Sequence, residues 1–227
     1  MTILVGMVGS DGIILAADQR ASRSFGRQDR FDDLMEIEKL IHLESHKVAY
    51  AAVGDDVTAE AANRFSIALE HGAFDLARIK QSLTDVGLSV INDKAGFLQP
   101  SENRSLLIVF YGDQVSGPQL WSMDMSHSVR ADRVPRIKIA GALGNGARFF
   151  GHYFPKAPAP IESLKTLAAH IVLTASQWDS LMIHGIDIAT FEGHEFHLVG
   201  EEEKQALRAK SEALDLAIQH HLFGELP

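Results

Sequence analysis

The sequence predicts an α+β fold in which two mostly antiparallel sheets lie between pairs of helices, forming a four-layer αββα sandwich. Strand-like segments come in runs and helical segments mostly in pairs, in the order ββββ-αα-ββββ-αα-ββ-α. Two consecutive helices cannot act as a simple crossover between parallel strands, so this order disfavours a doubly wound parallel sheet. The chain has no internal repeat, linker or low-complexity stretch, and we expect one domain over residues 1–227.

The first half of the chain reads as two hairpins followed by two helices. Apolar and β-branched runs separated by short turns predict strands at residues 2–8, 12–17, 39–43 and 47–53. The polar segment 19–36 is typical of a long loop. Apolar residues at helical spacing predict helices over 55–71 and 73–91, the first capped by Asp55 or Asp56.

The second half repeats this alternation. Four further strands are predicted at residues 105–111, 119–123, 128–131 and 136–140. A short helix follows from residue 144 to about 155, and a longer one covers 161–178. Two strands at 186–191 and 195–199 then lead into an amphipathic helix over 201–223.

Composition excludes several classes of protein. The chain has 227 residues and a net charge of −9, which argues against binding to nucleic acid, because that binding depends on clustered Lys and Arg. It has no Cys, so disulfides, thiol nucleophiles and Cys-ligated metals are excluded. No apolar run approaches the roughly 18 residues of a membrane helix, and no basic segment of a secretory signal precedes the first strand. We therefore expect a cytoplasmic protein without membrane contact.

The N-terminus offers a nucleophile and a base in one residue. Methionine is commonly removed before a small residue, and the second residue is Thr2. Removal would free an α-amine with an ordinary pKa of about 7.7–8.0 beside the Thr2 hydroxyl. This is the N-terminal variant of nucleophilic catalysis.

Three further residues stand where strands begin or end. Asp18 follows the second predicted strand, Lys39 begins the third, and Gly54 separates the fourth from a helix. A lysine next to a hydroxyl would stabilise a developing alkoxide, and a carboxylate would keep that lysine charged. A backbone N–H near a helix N-terminus could bind an oxyanion. Each residue taken separately would also fit a surface ion pair or an ordinary turn.

Together these residues resemble a proteasome β-type subunit of the bacterial self-assembling kind, a family of N-terminal-nucleophile hydrolases. The stretches that carry the resemblance are residues 2–6 (TILVG), 11–22 (DGIILAADQRAS), 39–40 (KL) and 52–54 (AVG). The family fold is a four-layer sandwich with the same order of elements, so the resemblance covers nearly the whole chain. It implies a threonine endopeptidase in homo-oligomeric stacked rings that cleaves peptides or unfolded polypeptides.

The resemblance also implies a role for individual residues. Thr2 would be the nucleophile, Asp18 and Lys39 its electrostatic partners, and Gly54 the oxyanion donor. Asn145 and Asp179 match supporting positions of the family site. Positions that would contact the substrate are Ala21, Ser22, Ile37, Ala52 and Asp56. No cofactor is expected, and the resemblance leaves open whether an ATPase partner exists.

Two accessory positions depart from the family pattern. Asn145 replaces a serine that assists the amine, and Met182 replaces another serine. An amide can donate and accept hydrogen bonds but cannot relay a proton as a hydroxyl does. An inactive or weakened ring-forming subunit therefore remains an alternative. A second alternative is an N-terminal-nucleophile amidase acting on a small amide.

Two other patterns do not point to a site. The chain has 11 His residues, but His194 and His197 lack the helical i, i+4 spacing of a zinc pair, and we expect no metal site. The Gly-rich run over 141–146 lacks the Lys-Ser/Thr of a phosphate loop.

Overall fold

A computed structural model gives the fold of this chain and describes residues 2–22, 34–36, 39–94, 104–141, 155–178 and 183–224. The strands are β1 (Ile3–Val8), β2 (Gly12–Ala17), β3 (Arg20–Ser22), β4 (Leu34–Glu36), β5 (Leu40–Leu43), β6 (Val48–Val53), β7 (Ser105–Phe110), β8 (Gln119–Asp124), β9 (Arg130–Arg133), β10 (Ile137–Gly141), β11 (Asp187–Glu192) and β12 (Glu195–Leu198). The α-helices are α1 (Asp56–Glu70), α2 (Ile79–Lys94), α3 (Ile161–Trp178) and α4 (Glu201–Phe223), and short 3-10 helices cover Glu44–His46 and Leu76–Arg78.

Two five-stranded sheets form the centre of the fold. The first has the strand order β10-β1-β2-β11-β12, and the second has the order β5-β6-β7-β8-β9. Every pairing between neighbouring strands is antiparallel. The predicted pair of antiparallel sheets is therefore confirmed.

Three apolar cores separate four layers. One core lies between the first sheet and helices α3 and α4, and another lies between the second sheet and helices α1 and α2. The third lies between the two sheets. In β2, Ile14 faces the helices whereas Ile13 and Leu15 face the opposite sheet. Both faces of this strand are buried, which explains why its sequence is a continuous apolar run rather than an alternating one.

The helices of the second sheet begin at defined caps. Asp55 caps α1 by accepting a hydrogen bond from the Val57 N–H at 3.1 Å, as the sequence predicted. The predicted start of the next helix at residue 73 was wrong, because Asp75 first caps a 3-10 turn and α2 begins only at Ile79. Within α2, a Cβ at Gly87 would lie 2.6 Å from the side chain of Val129, which directly precedes β9. The close packing of α2 against this segment therefore explains the glycine.

The predicted long loop over 19–36 was wrong in part. Strands β3 and β4 form a separate two-stranded antiparallel sheet, with Ala21 opposite Met35. Three-residue strands in a charged segment show no alternation that a sequence pattern could detect. Strands β9 and β10 begin two residues and one residue later than predicted, respectively. The helix predicted from residue 144 lies almost wholly outside the described residues.

Candidate active site

The pairing of β1 with β2 brings Thr2 close to Asp18. In this antiparallel register Leu4 pairs with Ala17, so the start of β1 lies beside the end of β2. The Ile3 N–H donates to Asp18 Oδ1 at 2.9 Å, and the Asp18 N–H donates to the Ile3 carbonyl at 3.3 Å. The Asp18 carboxylate is therefore fixed next to the residue that follows Thr2.

Lys39 joins the other two residues. Its ammonium donates to Asp18 Oδ2 at 2.8 Å and to Thr2 Oγ1 at 2.7 Å. The side chain of Lys39 is 5% exposed and that of Asp18 is 0% exposed. The structure thus assembles a buried Asp–Lys pair whose cation contacts a hydroxyl, from residues separated by 37 positions in the chain.

Burial shapes the electrostatics of this group. It lowers the pKa of Lys39 below its ordinary value, against the opposing charge and hydrogen bond of Asp18. A lysine with a lowered pKa gives up its proton more readily, while Asp18 prevents the ammonium from being buried alone. This arrangement can stabilise negative charge on Thr2 Oγ1 and exchange a proton with it.

A glycine on β10 allows this strand to lie very close to the backbone of Thr2. Gly141 pairs with Ile3 and has φ +123°, a region that favours glycine. A Cβ at this position would lie 2.0 Å from the Thr2 carbonyl oxygen. Its close approach to Thr2 could not be read from the Gly-rich run over 141–146, where only the presence of glycine was visible.

Gly54 lies at the junction of β6 and α1, where the oxyanion donor was predicted. Its φ of +141° again requires glycine. The next residue, Asp55, accepts hydrogen bonds from Arg104 Nε at 2.9 Å to each carboxylate oxygen, and Arg104 is 4% exposed. Hydrogen bonding to Arg104 is the main reason why the pKa of Asp55 is lowered. This ion pair, which the sequence did not reveal, fixes the turn that contains Gly54.

The remaining predicted residues are placed as follows. Leu40 pairs with Ala51, so the same register sets half-buried Ala52 beside Lys39. Asp56 is exposed at the first position of α1. Ala21 and Ser22 belong to β3. Residues Ile37, Asn145, Asp179 and Met182 lie outside the described part of the chain, so their roles stay predictions.

A second buried ion pair adjoins this group and was missed by sequence reasoning. Lys204 in the first turn of α4 contacts Asp187 at the start of β11, and Asp187 also accepts a hydrogen bond from Gln19. A lysine that follows three glutamates is typical of an exposed helix N-terminus. Only the packing of α4 against the first sheet shows that Lys204 is buried.

The described residues contain neither a metal-binding cluster nor a membrane-spanning helix. No group of three or more His, Asp or Glu side chains in that part of the chain is arranged to hold a metal ion. None of its helices has both the length and the apolar character that crossing a membrane requires.

Comparison with known proteins identifies the fold. No family model and no curated protein sequence matches the chain. Among solved structures, a Gly-1 mutant of Anbu from Hyphomicrobium sp. strain MC1 matches with a TM-score of 0.75 and 13% identity, over 100% of this chain and 99% of that one. Anbu from Yersinia bercovieri, described as an ancestral β-subunit, matches with a TM-score of 0.75 and 13% identity, over 99% and 98% of the two chains.

A third similar structure is the helical assembly of the Anbu complex from Pseudomonas aeruginosa, with a TM-score of 0.74 and 14% identity, over 99% of this chain and 97% of that one. Since these identities are low, the likeness concerns the fold. At that level it supports the resemblance to proteasome β-type subunits, because the chain shares its four-layer sandwich with these Anbu structures.

Proposed function

We propose that this chain is a threonine peptidase subunit of a self-assembled, proteasome-like particle. The observation that carries the proposal is the ammonium of Lys39, which lies 2.7 Å from Thr2 Oγ1 and 2.8 Å from Asp18 Oδ2 in a buried environment. An ordinary surface ion pair is exposed to water, whereas this pair is buried and its ammonium contacts a hydroxyl. The shared fold with Anbu, which is described as an ancestral β-subunit, adds support.

The first chemical step uses both functional groups of Thr2. After removal of Met1, the free amine of Thr2 accepts the proton of Oγ1 as this oxygen adds to the carbonyl carbon of a peptide bond. The carbonyl oxygen becomes an oxyanion, for which the backbone N–H of Gly54 is the proposed donor. Lys39 stabilises the negative charge that develops on Oγ1.

The next steps release the two products. The intermediate collapses, the C–N bond breaks, and the leaving amine takes the proton held by the Thr2 amine. An ester between the substrate acyl group and Thr2 Oγ1 remains. Water then adds to this ester while the Thr2 amine accepts its proton, and breaking the ester bond returns a proton to Oγ1. No metal or cofactor takes part in this sequence of steps.

The proposal includes assembly of identical subunits. The Anbu complex from Pseudomonas aeruginosa forms a helical assembly, which supports a homo-oligomer for a chain of the same fold. We expect stacked rings that enclose the sites, and a particle many times the 24.9 kDa of one chain. Light scattering at micromolar concentration tests this, and a monomer or dimer would contradict it. Electron microscopy would distinguish closed rings from a helical assembly.

Hydrolysis by matched variants tests the peptidase function. Thr2→Ala removes the nucleophile and should abolish cleavage of a fluorogenic peptide, whereas Thr2→Ser keeps the chemistry and should retain part of it. An N-terminal extension that cannot be processed should be as inactive as Thr2→Ala, because an amide has no basic lone pair. Peptide cleavage that persists in Thr2→Ala would refute the mechanism. Cleavage of small amides alone, with unfolded protein left intact, would instead indicate an amidase.

A further inference from the structure

A buried ion pair connects the C-terminal helix to the first sheet. Lys204 is 5% exposed, and its ammonium donates to Asp187 Oδ1 at 2.9 Å and to Glu201 Oε1 at 2.7 Å. Asp187 is 7% exposed. Burying two charges costs several kcal/mol per ion before their attraction is counted. A gain in stability is therefore a weak explanation for the presence of this buried pair. The contact between Asp187 and Gln19 indicates a different role.

The same carboxylate oxygen reaches the proposed active site through Gln19. Gln19 Nε2 donates to Asp187 Oδ1 at 2.7 Å, and the Gln19 N–H donates to the His184 carbonyl at 2.8 Å. A Cβ at Gly185, which has φ +67°, would lie 2.0 Å from Gln19 Oε1. The glycine therefore leaves the space that the Gln19 side chain occupies. Gln19 is held by its backbone, its amide group and this close packing.

We infer that Asp187 and Lys204 act through Gln19 as positioning residues for the catalytic segment of the chain. Gln19 lies between Asp18, which contacts Lys39, and β3, which the resemblance places beside a peptide substrate. Fixing Gln19 therefore fixes the carboxylate on one side and the substrate-binding strand on the other. The effect of this positioning on catalysis rests on the proposed peptidase function, whereas the positioning itself does not.

The charges of the pair explain why it holds Gln19 well. A carboxylate is a stronger hydrogen-bond acceptor than a neutral group, and Lys204 and Gln19 donate to the same oxygen of Asp187. Burial would lower the pKa of Lys204, but the hydrogen bonds and the negative charges of Glu201 and Asp187 together outweigh burial and raise this pKa. Lys204 therefore stays charged at neutral pH. A misplacement of about 1 Å in a catalytic group can cost about 100-fold in rate.

Gln19→Met tests this role, because it keeps the length of the side chain and removes only the amide. A matched control is Gln81→Met on α2, where Gln81 Nε2 donates to Asp85 Oδ1 at the same distance of 2.7 Å. The rate at which a peptide epoxyketone modifies Thr2 should fall about ten-fold or more in Gln19→Met and stay unchanged in Gln81→Met. The melting temperatures of the two variants should remain within a few degrees, because Asp187 keeps Lys204 as its partner.

Hydrogen exchange gives a readout that does not depend on activity. The amides of Asp18 and Gln19 donate to Ile3 and His184, so loss of positioning should speed their exchange about ten-fold or more in Gln19→Met. Exchange in α2 should not change. Lys204→Met, which weakens the anchor of Gln19, should shift both readouts in the same direction and serves as a second test.

The outcomes separate the two proposals. If the wild-type protein never reacts with the epoxyketone, the peptidase function is refuted. Hydrogen exchange at the Asp18 and Gln19 amides would still test the positioning role. If Gln19→Met reacts at the wild-type rate in a reactive protein, the positioning role is wrong. Wild-type exchange of the Asp18 and Gln19 amides in Gln19→Met would also overturn it.

Discussion

Removing the ammonium of Lys39 should affect stability and reactivity in separable ways. Lys39→Met removes the ammonium that lies 2.8 Å from the fully buried carboxylate of Asp18. Removing one partner of a buried ion pair costs about 3–5 kcal/mol. For a chain of this size, that loss lowers the melting temperature by roughly 6–20 °C. Loss of the contact to Thr2 Oγ1 should also slow modification by a peptide epoxyketone by about 100-fold or more.

A double variant separates the two effects. Lys39→Met combined with Asp18→Asn removes both charges and keeps an amide oxygen that can accept from the Ile3 N–H. It should recover most of the lost melting temperature, since both charges of the buried pair are removed together, but none of the reactivity. Calorimetry at one protein concentration and intact-mass kinetics measure the two quantities. If Lys39→Met alone melts at the wild-type temperature, or reacts at the wild-type rate, this reasoning is refuted.

Two further predictions concern the backbone around the site and its response to acid. Gly141→Ala should lower both the melting temperature and the rate of Thr2 modification, because its Cβ would collide with the Thr2 carbonyl; unchanged values would contradict the close approach of β10. Arg104→Met should destabilise the protein at pH 7. Because the folded pKa of Asp55 is lowered, the stability that it adds is present above its ordinary pKa of about 4 and is lost as the pH falls through the lowered value. The difference in unfolding free energy between wild type and Arg104→Met should therefore shrink in acid, and denaturant titrations at pH 7 and pH 3 that give the same difference would refute the link.

The order of elements was predictable because each strand and helix carries its own local pattern. The apolar run over 12–17 and the helical spacing over 161–178 are visible in the chain, and both elements form where they were expected. Short strands in a charged segment carry no such pattern, so β3 and β4 were missed. The start of α2 was missed because a 3-10 turn and a helix show similar apolar spacing over one turn.

The site was predictable only in part. Thr2, Asp18 and Lys39 were selected by the chemistry of an N-terminal nucleophile and by the family resemblance, and the structure brings these three together. Contacts that depend on tertiary packing were not visible. Nothing in the sequence marks Lys204 as buried, or shows that Asp187 contacts Gln19 across 168 positions of the chain. Local pattern identifies the residues at strand ends, whereas packing decides which of them meet.

The location of a peptide epoxyketone adduct tests the central claim most directly. This probe needs both the hydroxyl and the free amine of an N-terminal residue to form its ring adduct. Intact mass and peptide mapping of the purified particle should show a chain that begins at Thr2 and carries one adduct on that residue. Thr2→Ala should carry none. A mature chain that retains Met1 and forms no adduct, or an adduct on another residue, would contradict the proposed mechanism.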